Sequence, residues 1–216
     1  MITFTPGRYF ITGIDTDAGK SYATAYLARL IQSTGLSVIT QKFVQTGCNP
    51  SEISEDILTH RRLQGIAPTD EDKDGTTCPE IFHFPCSPHL AATLDNRVID
   101  LDKITNSTKI LSHKYDVVLI EGAGGLLVPI NGKQTTADYI KNQNLETIVV
   151  TSARLGSINH TLLTLEVCKN RGIEVKTMIF NHYPESDPTL TAGTIDYLQR
   201  YTDIPIIELP ILSVPQ

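Results

Sequence analysis

Gly13-Ile-Asp-Thr-Asp-Ala-Gly19-Lys20-Ser21 is the stretch whose residue types and spacing point most directly to chemistry. A glycine-rich turn lets successive backbone N–H groups converge on an anion. A helix starting there adds partial positive charge at its amino end. In that setting Lys20 is expected to meet the terminal phosphates of a nucleoside triphosphate, and the Ser21 hydroxyl to join a Mg²⁺ shell. One residue more separates Gly13 from Gly19 than in the common phosphate loop. A metal bound to phosphate also needs acidic partners. Glu121 closes an apolar run and precedes Gly122-Ala-Gly124-Gly125, glycines that allow a ligand close to the backbone. A plain strand-end carboxylate facing water is the alternative. Asp56, inside an expected helix, is a weaker second acid.

These residues need elements to hold them, and the chain supplies short apolar runs alternating with amphipathic stretches. Tyr9 to Thr12 reads as a first strand ending at Gly13, followed by a helix over 20–34 that stops at Gly35. Val38 to Phe43 reads as a second strand and 53–63 as a helix. Residues 64–86, rich in Asp, Thr, Gly and Pro, read as a long irregular excursion. Further strands are expected at 116–120, 147–150 and 177–180, with helices at 158–170 and 189–201. Ile204 to Ile207 reads as a last strand, which Pro205 assigns to an edge or a strand start. The expected fold is α/β, one domain over 1–216, with a mostly parallel sheet flanked by helices on both faces. An acid at the carboxyl end of a strand lies where an open sheet of this kind presents its ligand.

Composition narrows the function classes. The 216 residues carry a net charge of −6, which argues against a surface that coats nucleic acid. The four cysteines form no CxxC pair, so neither a zinc site nor a redox motif is expected. The opening MITFTPGRYF has no apolar leader, and no apolar run approaches the roughly 20 residues of a membrane helix. A cytoplasmic protein without membrane contact is expected.

Several segments, taken together, carry a resemblance. The loop at 13–21 resembles the GTDTxxGKT loop of the dethiobiotin synthetase family within the P-loop NTPases, including its spacing. Lys42-Phe-Val-Gln-Thr46-Gly47 is similar to that family's KPVxSG segment, and Phe82 to His89 to its F-x-x-P-x-SPH stretch. Val118 to Gly125 resembles its VEGAGG strand end, and Leu155 to His160 its LGxINH turn. Asn181 closes a strand as the family's adenine-side Asn does, and Glu208-Leu209-Pro210 resembles its E-I-P tail. Phe43, Thr46 and Ser21 replace Pro, Ser and Thr, the last two keeping a hydroxyl.

The resemblance implies ATP-dependent closure of a cyclic urea on 7,8-diaminononanoate with CO₂. Lys20, Lys42 and Thr46 would be catalytic, with Ser21, Asp56 and Glu121 around Mg²⁺. A surface lysine with its stem along apolar neighbours is the alternative for Lys42. Asp15, Thr16, Asp17, Ala18, Gly19, Lys20, Ser21 and Tyr22 would bind the nucleotide, with the N–H groups of residues 16–21 cradling its phosphates. Asn181, Glu208, Leu209 and Pro210 would line the base pocket, beside Gly122, Gly124 and Gly125 near the phosphates. Gly156, Ser157, Ile158 and Asn159, at an expected helix start, would hold the substrate carboxylate from the neighbouring subunit of a homodimer. Two rivals fit less well. An amidoligase of the cobyrinate type needs a glutaminase part. A partitioning or division-site ATPase usually carries an extra early lysine, absent from Gly13-Ile-Asp-Thr-Asp.

Overall fold

The computed structural model describes residues 2–212. In chain order the elements are β1 (Gly7–Gly13), α1 (Lys20–Gln32), β2 (Val38–Lys42), β3 (Gln45–Thr46), α2 (Glu55–Gln64), α3 (Asp70–Lys73), β4 (Ile81–Phe82) and α4 (Pro88–Leu94). They continue with α5 (Leu101–Lys114), β5 (Val117–Glu121), α6 (Thr136–Asn142), β6 (Glu146–Ser152), α7 (Ser157–Arg171), β7 (Val175–Asn181), α8 (Pro188–Tyr201) and β8 (Ile206–Leu209). Six strands form one parallel sheet in the order β2-β5-β1-β6-β7-β8. Because β1 is central, the chain leaves its carboxyl end where the winding direction reverses, the crevice in which such sheets bind ligands.

Burial on both faces explains the apolar runs of the inner strands. Tyr9 and Ile11 of β1, with Val117 and Leu119 of β5, face one core with Ala23, Leu27 and Ile31 of α1 and Leu198 of α8. Phe10, Val118 and Ile120 face the other, with Ile104 and Leu111 of α5 and Ala137 and Ile140 of α6. The helices start and stop on local chemistry. Ser54 caps α2 by accepting from the Ile57 N–H, Glu55 and Asp56 occupy its first turn, and Gly65 at φ 72° ends it. Asp100 caps α5, and Thr135 with Asp138 forms a capping box on α6.

Three expectations are refined. Residues 64–86 are largely irregular, as expected, but packed: they carry the short α3 and β4, the latter paired with β3. Their polar composition hides a buried ion pair, in which both Asp72 carboxylate oxygens accept from Arg61 at 2.8 Å. The last strand begins after Pro205, whose carbonyl accepts from the Met178 N–H at 2.9 Å. The helices α4, α5 and α6 have no counterpart in the expected set of elements. Among the described residues no helix is long and apolar enough to cross a membrane.

Candidate active site

The loop between β1 and α1 is tied to the sheet by the Ile14 N–H, which donates to the Val150 carbonyl at 3.0 Å. Gly19, at φ 88°, is the N-cap of α1. A Cβ there would come 2.2 Å from Nδ2 of Asn181, so glycine is required by conformation and by space. Asn181 braces the loop from the end of β7. Its Nδ2 donates to the Ala18 carbonyl at 3.1 Å, and its Oδ1 accepts from the Tyr183 N–H at 3.0 Å. The N–H groups of the first turn of α1 lack intrahelical partners and are available to an anion. The Thr16 N–H is engaged instead by Asp15 Oδ1 at 2.8 Å.

Lys20 is buried, with Nζ donating to the Asp15 carbonyl at 3.3 Å. Burial, and then the nearby Lys42 ammonium, push its pKa below the ordinary lysine value. A cation held this way gains from any anion that enters beside it.

Beyond Lys20 the acids and the second lysine converge. Lys42 and Glu121 are register partners on the neighbouring strands β2 and β5, so their side chains leave the sheet side by side. Lys42 is 5% exposed, which removes the reading of a surface lysine. Its Nζ donates to Glu121 Oε1 at 2.8 Å and to the Gly122 carbonyl at 3.2 Å, and it also pairs with Asp56 Oδ2. Ser21 Oγ lies 3.0 Å from Glu121 Oε1 and 3.2 Å from Asp56 Oδ1. Burial alone would raise the Glu121 pKa, but Lys42 and the His60 hydrogen bond hold it far below the usual carboxylate range. Burial likewise opposes charge on Lys42, yet Glu121 and Asp56 hold it above the ordinary lysine value. The cluster is charged and internally compensated.

Sequence reasoning missed two members. His60, fully buried on α2, places Nε2 at 2.6 Å from Glu121 Oε2 and Nδ1 at 3.0 Å from Thr40 Oγ1. Its position one helical turn after Asp56 was the available signal. Gln45 accepts from Ser54 Oγ at 2.6 Å and from the Asp56 N–H at 3.4 Å, fixing the start of α2 against β3.

A cleft of about 790 Å³ opens over this cluster. Thr16, Asp17, Gly19, Lys20, Ser21, Tyr22, Lys42, Thr46, Asp56, Glu121, Gly124 and Asn181 line it, together with Pro85 to Pro88 and Tyr183. Other expected residues do not line it. The Asp15 carboxylate turns to Arg154 Nη2 at 2.6 Å, and that hydrogen bond holds its pKa below the usual range. Ala18 is buried beneath the loop. Gly122 packs so closely on Phe10 that a Cβ would sit 2.7 Å from the ring, and Gly125 lies against the Gly13 carbonyl. Leu209 is a core residue, and Glu208 pairs with His182 at 2.9 Å beside the exposed Pro210. Register sets this strand end next to Asn181. Gly156, Ser157, Ile158 and Asn159 begin α7 outside the cleft, on a turn whose Leu155 is fully exposed.

The arrangement of phosphate loop, paired lysines and two acids can bind a nucleoside triphosphate and neutralise charge during phosphoryl transfer. Comparison with known proteins agrees. A family profile described as an AAA domain matches residues 7–214. A ParA family ATPase from Chlorobium tepidum shares the fold at a TM-score of 0.54 and 16% identity, over 94% of this chain and 83% of the other. The signal recognition particle receptor FtsY from Elizabethkingia anophelis does so at 0.54 and 17%, over 94% and 58%. Relatives in sequence are much nearer. The ATP-dependent dethiobiotin synthetase BioD 2 of Pasteurella multocida is 52% identical over 195 residues, 90% of this chain and 91% of the relative. The ATP-dependent dethiobiotin synthetase BioD of Chlorobaculum tepidum is 48% identical over 205 residues, 92% and 85% of the two. Identity at that level, along nearly the full length of this chain and most of each relative, makes this chain a member of the ATP-dependent dethiobiotin synthetase family.

Proposed function

We propose that this chain, acting as a single-domain protomer of a homodimer in the cytoplasm, makes dethiobiotin from 7,8-diaminononanoate, CO₂ and ATP. One amine of the substrate adds to CO₂ and loses a proton, giving a carbamate. A carbamate oxygen attacks the γ-phosphorus of ATP and ADP departs, leaving a carbamic–phosphoric anhydride. The second amine attacks the anhydride carbonyl, phosphate leaves, and the cyclic urea closes.

Anionic groups must approach one another in the second step, so charge compensation and alignment should dominate catalysis. Lys20 and the free N–H groups of α1 suit the β- and γ-phosphates. Lys42 suits the carbamate and the transferring phosphoryl group, and the Thr46 hydroxyl suits the carbamate oxygen. The oxygen-only donor set of Ser21, Asp56 and Glu121, gathered within hydrogen-bond distance, fits Mg²⁺, which keeps its remaining positions for water and phosphate. Bound there, the ion would offset charge on the phosphate oxygens. Asn181, with Glu208, Leu209 and Pro210 beyond it, supports a base subsite at the β7–β8 end of the cleft. The Gly156–Asn159 turn, exposed at Gly156 and Asn159 and buried at Ser157, suits the carboxylate of a diamine bound in a partner's cleft.

The observation that carries this reading is the meeting of Ser21, Lys42, Asp56 and Glu121, far apart in sequence, at the mouth of the phosphate loop. ADP release is expected only when diaminononanoate, bicarbonate and Mg²⁺ are all present. ATP hydrolysis stimulated by DNA or lipid, and indifferent to the diamine, would overturn it.

A further inference from the structure

Glu121 is held on both of its oxygens. Oε1 faces Ser21 and Lys42, the side toward the cleft. Oε2 faces away and, among the described residues, meets only His60, at 2.6 Å. Behind His60 lies a buried polar chain. His60 Nδ1 is 3.0 Å from Thr40 Oγ1, and Arg61 Nη1 donates to the same hydroxyl oxygen at 2.8 Å. Arg61 is anchored in turn by both carboxylate oxygens of Asp72. Asp72, Arg61, Thr40, His60 and Glu121 are each at most 3% exposed.

The donor inventory gives this chain a direction. A guanidinium only donates, so the Thr40 oxygen accepts from Arg61. The Thr40 oxygen keeps a second lone pair, so it can either accept from His60 Nδ1 or donate its own proton to it. In both cases Nε2 carries the proton that meets Glu121 Oε2, because a carboxylate only accepts. Each link from Arg61 through Thr40 and His60 to Glu121 is satisfied.

We infer that His60 is a positioning residue of the active site: steadied by Thr40, it donates from Nε2 to Glu121 Oε2 and so keeps Oε1 turned toward Ser21, Lys42 and the proposed metal site. The inference rests on the proposed function for the role of Glu121, and adds a residue that never touches substrate. Outer partners of this kind fix the orientation of metal-binding carboxylates and are needed for full metal affinity. Segment 64–86 thereby gains a part in the site, because Asp72 anchors the far end of the chain.

Two measurements on the full-length protein test it. Nitrogen NMR of ¹⁵N-histidine-labelled protein should show His60 with a protonated Nε2. An unprotonated Nε2 in the wild type would overturn the inference. Binding of Mn²⁺ with ADP, followed by electron paramagnetic resonance, should weaken about 10- to 100-fold in His60→Leu. His60→Gln, whose amide nitrogen occupies the reach of Nε2, should recover much of the loss. Equal affinity in His60→Leu and wild type, or no recovery in a folded His60→Gln, would also overturn it. If His60→Leu does not fold, the tautomer spectrum and His60→Gln decide. A wild-type protein that binds no Mn²⁺ with ADP would sink the nucleotide reading instead, since the tautomer is read without nucleotide.

Discussion

Lys42 shows how one side chain takes its role from its neighbours. It is buried, paired with two carboxylates, and adjacent to a second buried lysine whose pKa is depressed. Replacing it with methionine keeps the volume of the stem but leaves Glu121 and Asp56 without their shared cation. Lys42→Met is therefore expected to lower kcat by about 100- to 1000-fold, the scale of losing one preorganised charge-stabilising donor. ATP affinity, carried mainly by the loop and Lys20, should change far less. Steady-state kinetics with separate titration of ATP and diamine checks this, and a kcat near wild type would remove Lys42 from the chemistry. Lys20 and Ser21 were legible in the sequence because a phosphate loop fixes their spacing locally. Glu121 was legible because it closes an apolar run before glycines. His60 was missed: its place one helical turn after Asp56 sets it on the same helix face, but its meeting with Glu121 comes from that helix lying over the register of two strands.

At the scale of elements, segment 64–86 and α2 form one braced unit. All five guanidinium donors of Arg61 are used, on Asp72, Thr40 and Gln64. Asp72 also accepts from Thr77 Oγ1 at 2.8 Å and from the Thr69 N–H at 2.7 Å. Burial pushes the Asp72 carboxyl up, but Arg61 and these hydrogen bonds outweigh it and hold the pKa below the ordinary 3.8. Asp72→Ala would leave the Arg61 charge buried and unpaired, a loss of about 3–5 kcal/mol, and the melting temperature should fall by roughly 6–20 °C. The pH dependence follows in sign. Below 3.8 the unfolded chain binds a proton that the folded Asp72 resists, so its stabilisation, complete above that value, is lost as pH falls through the folded pKa. Thermal melts across that range should show a shallower acid limb in Asp72→Asn. The same segment explains why the sequence reading was uneven. The inner strands announce themselves because both faces are buried. A segment held by ion pairs looks like a loop, and α5 buries only Ile104, Thr108 and Leu111 in a polar stretch.

For the whole molecule, none of Gly156, Ser157, Ile158 and Asn159 lines the cleft, while Gly156 and Asn159 are exposed beside the fully exposed Leu155. The proposed homodimer would join these two facts by letting each turn serve the other protomer's cleft. Complementation between two defective chains tests this. Lys42→Ala spoils the cleft but keeps the turn, and Asn159→Ala keeps the cleft but weakens the turn. In a heterodimer with sites built across the interface, one site combines both defects and the other combines neither. Unfolding and refolding an equal mixture should pair the chains at random. About half of the dimers are then mixed, and activity should return to about a quarter of wild type although each parent alone is weak. If cleft and turn belonged to the same chain, every site would carry one defect whatever its partner, and mixing would yield only the average of the two parents. Activity at that average, in a mixture shown by mass to contain heterodimers, would rule out a shared site while leaving the phosphate loop and its acids untouched.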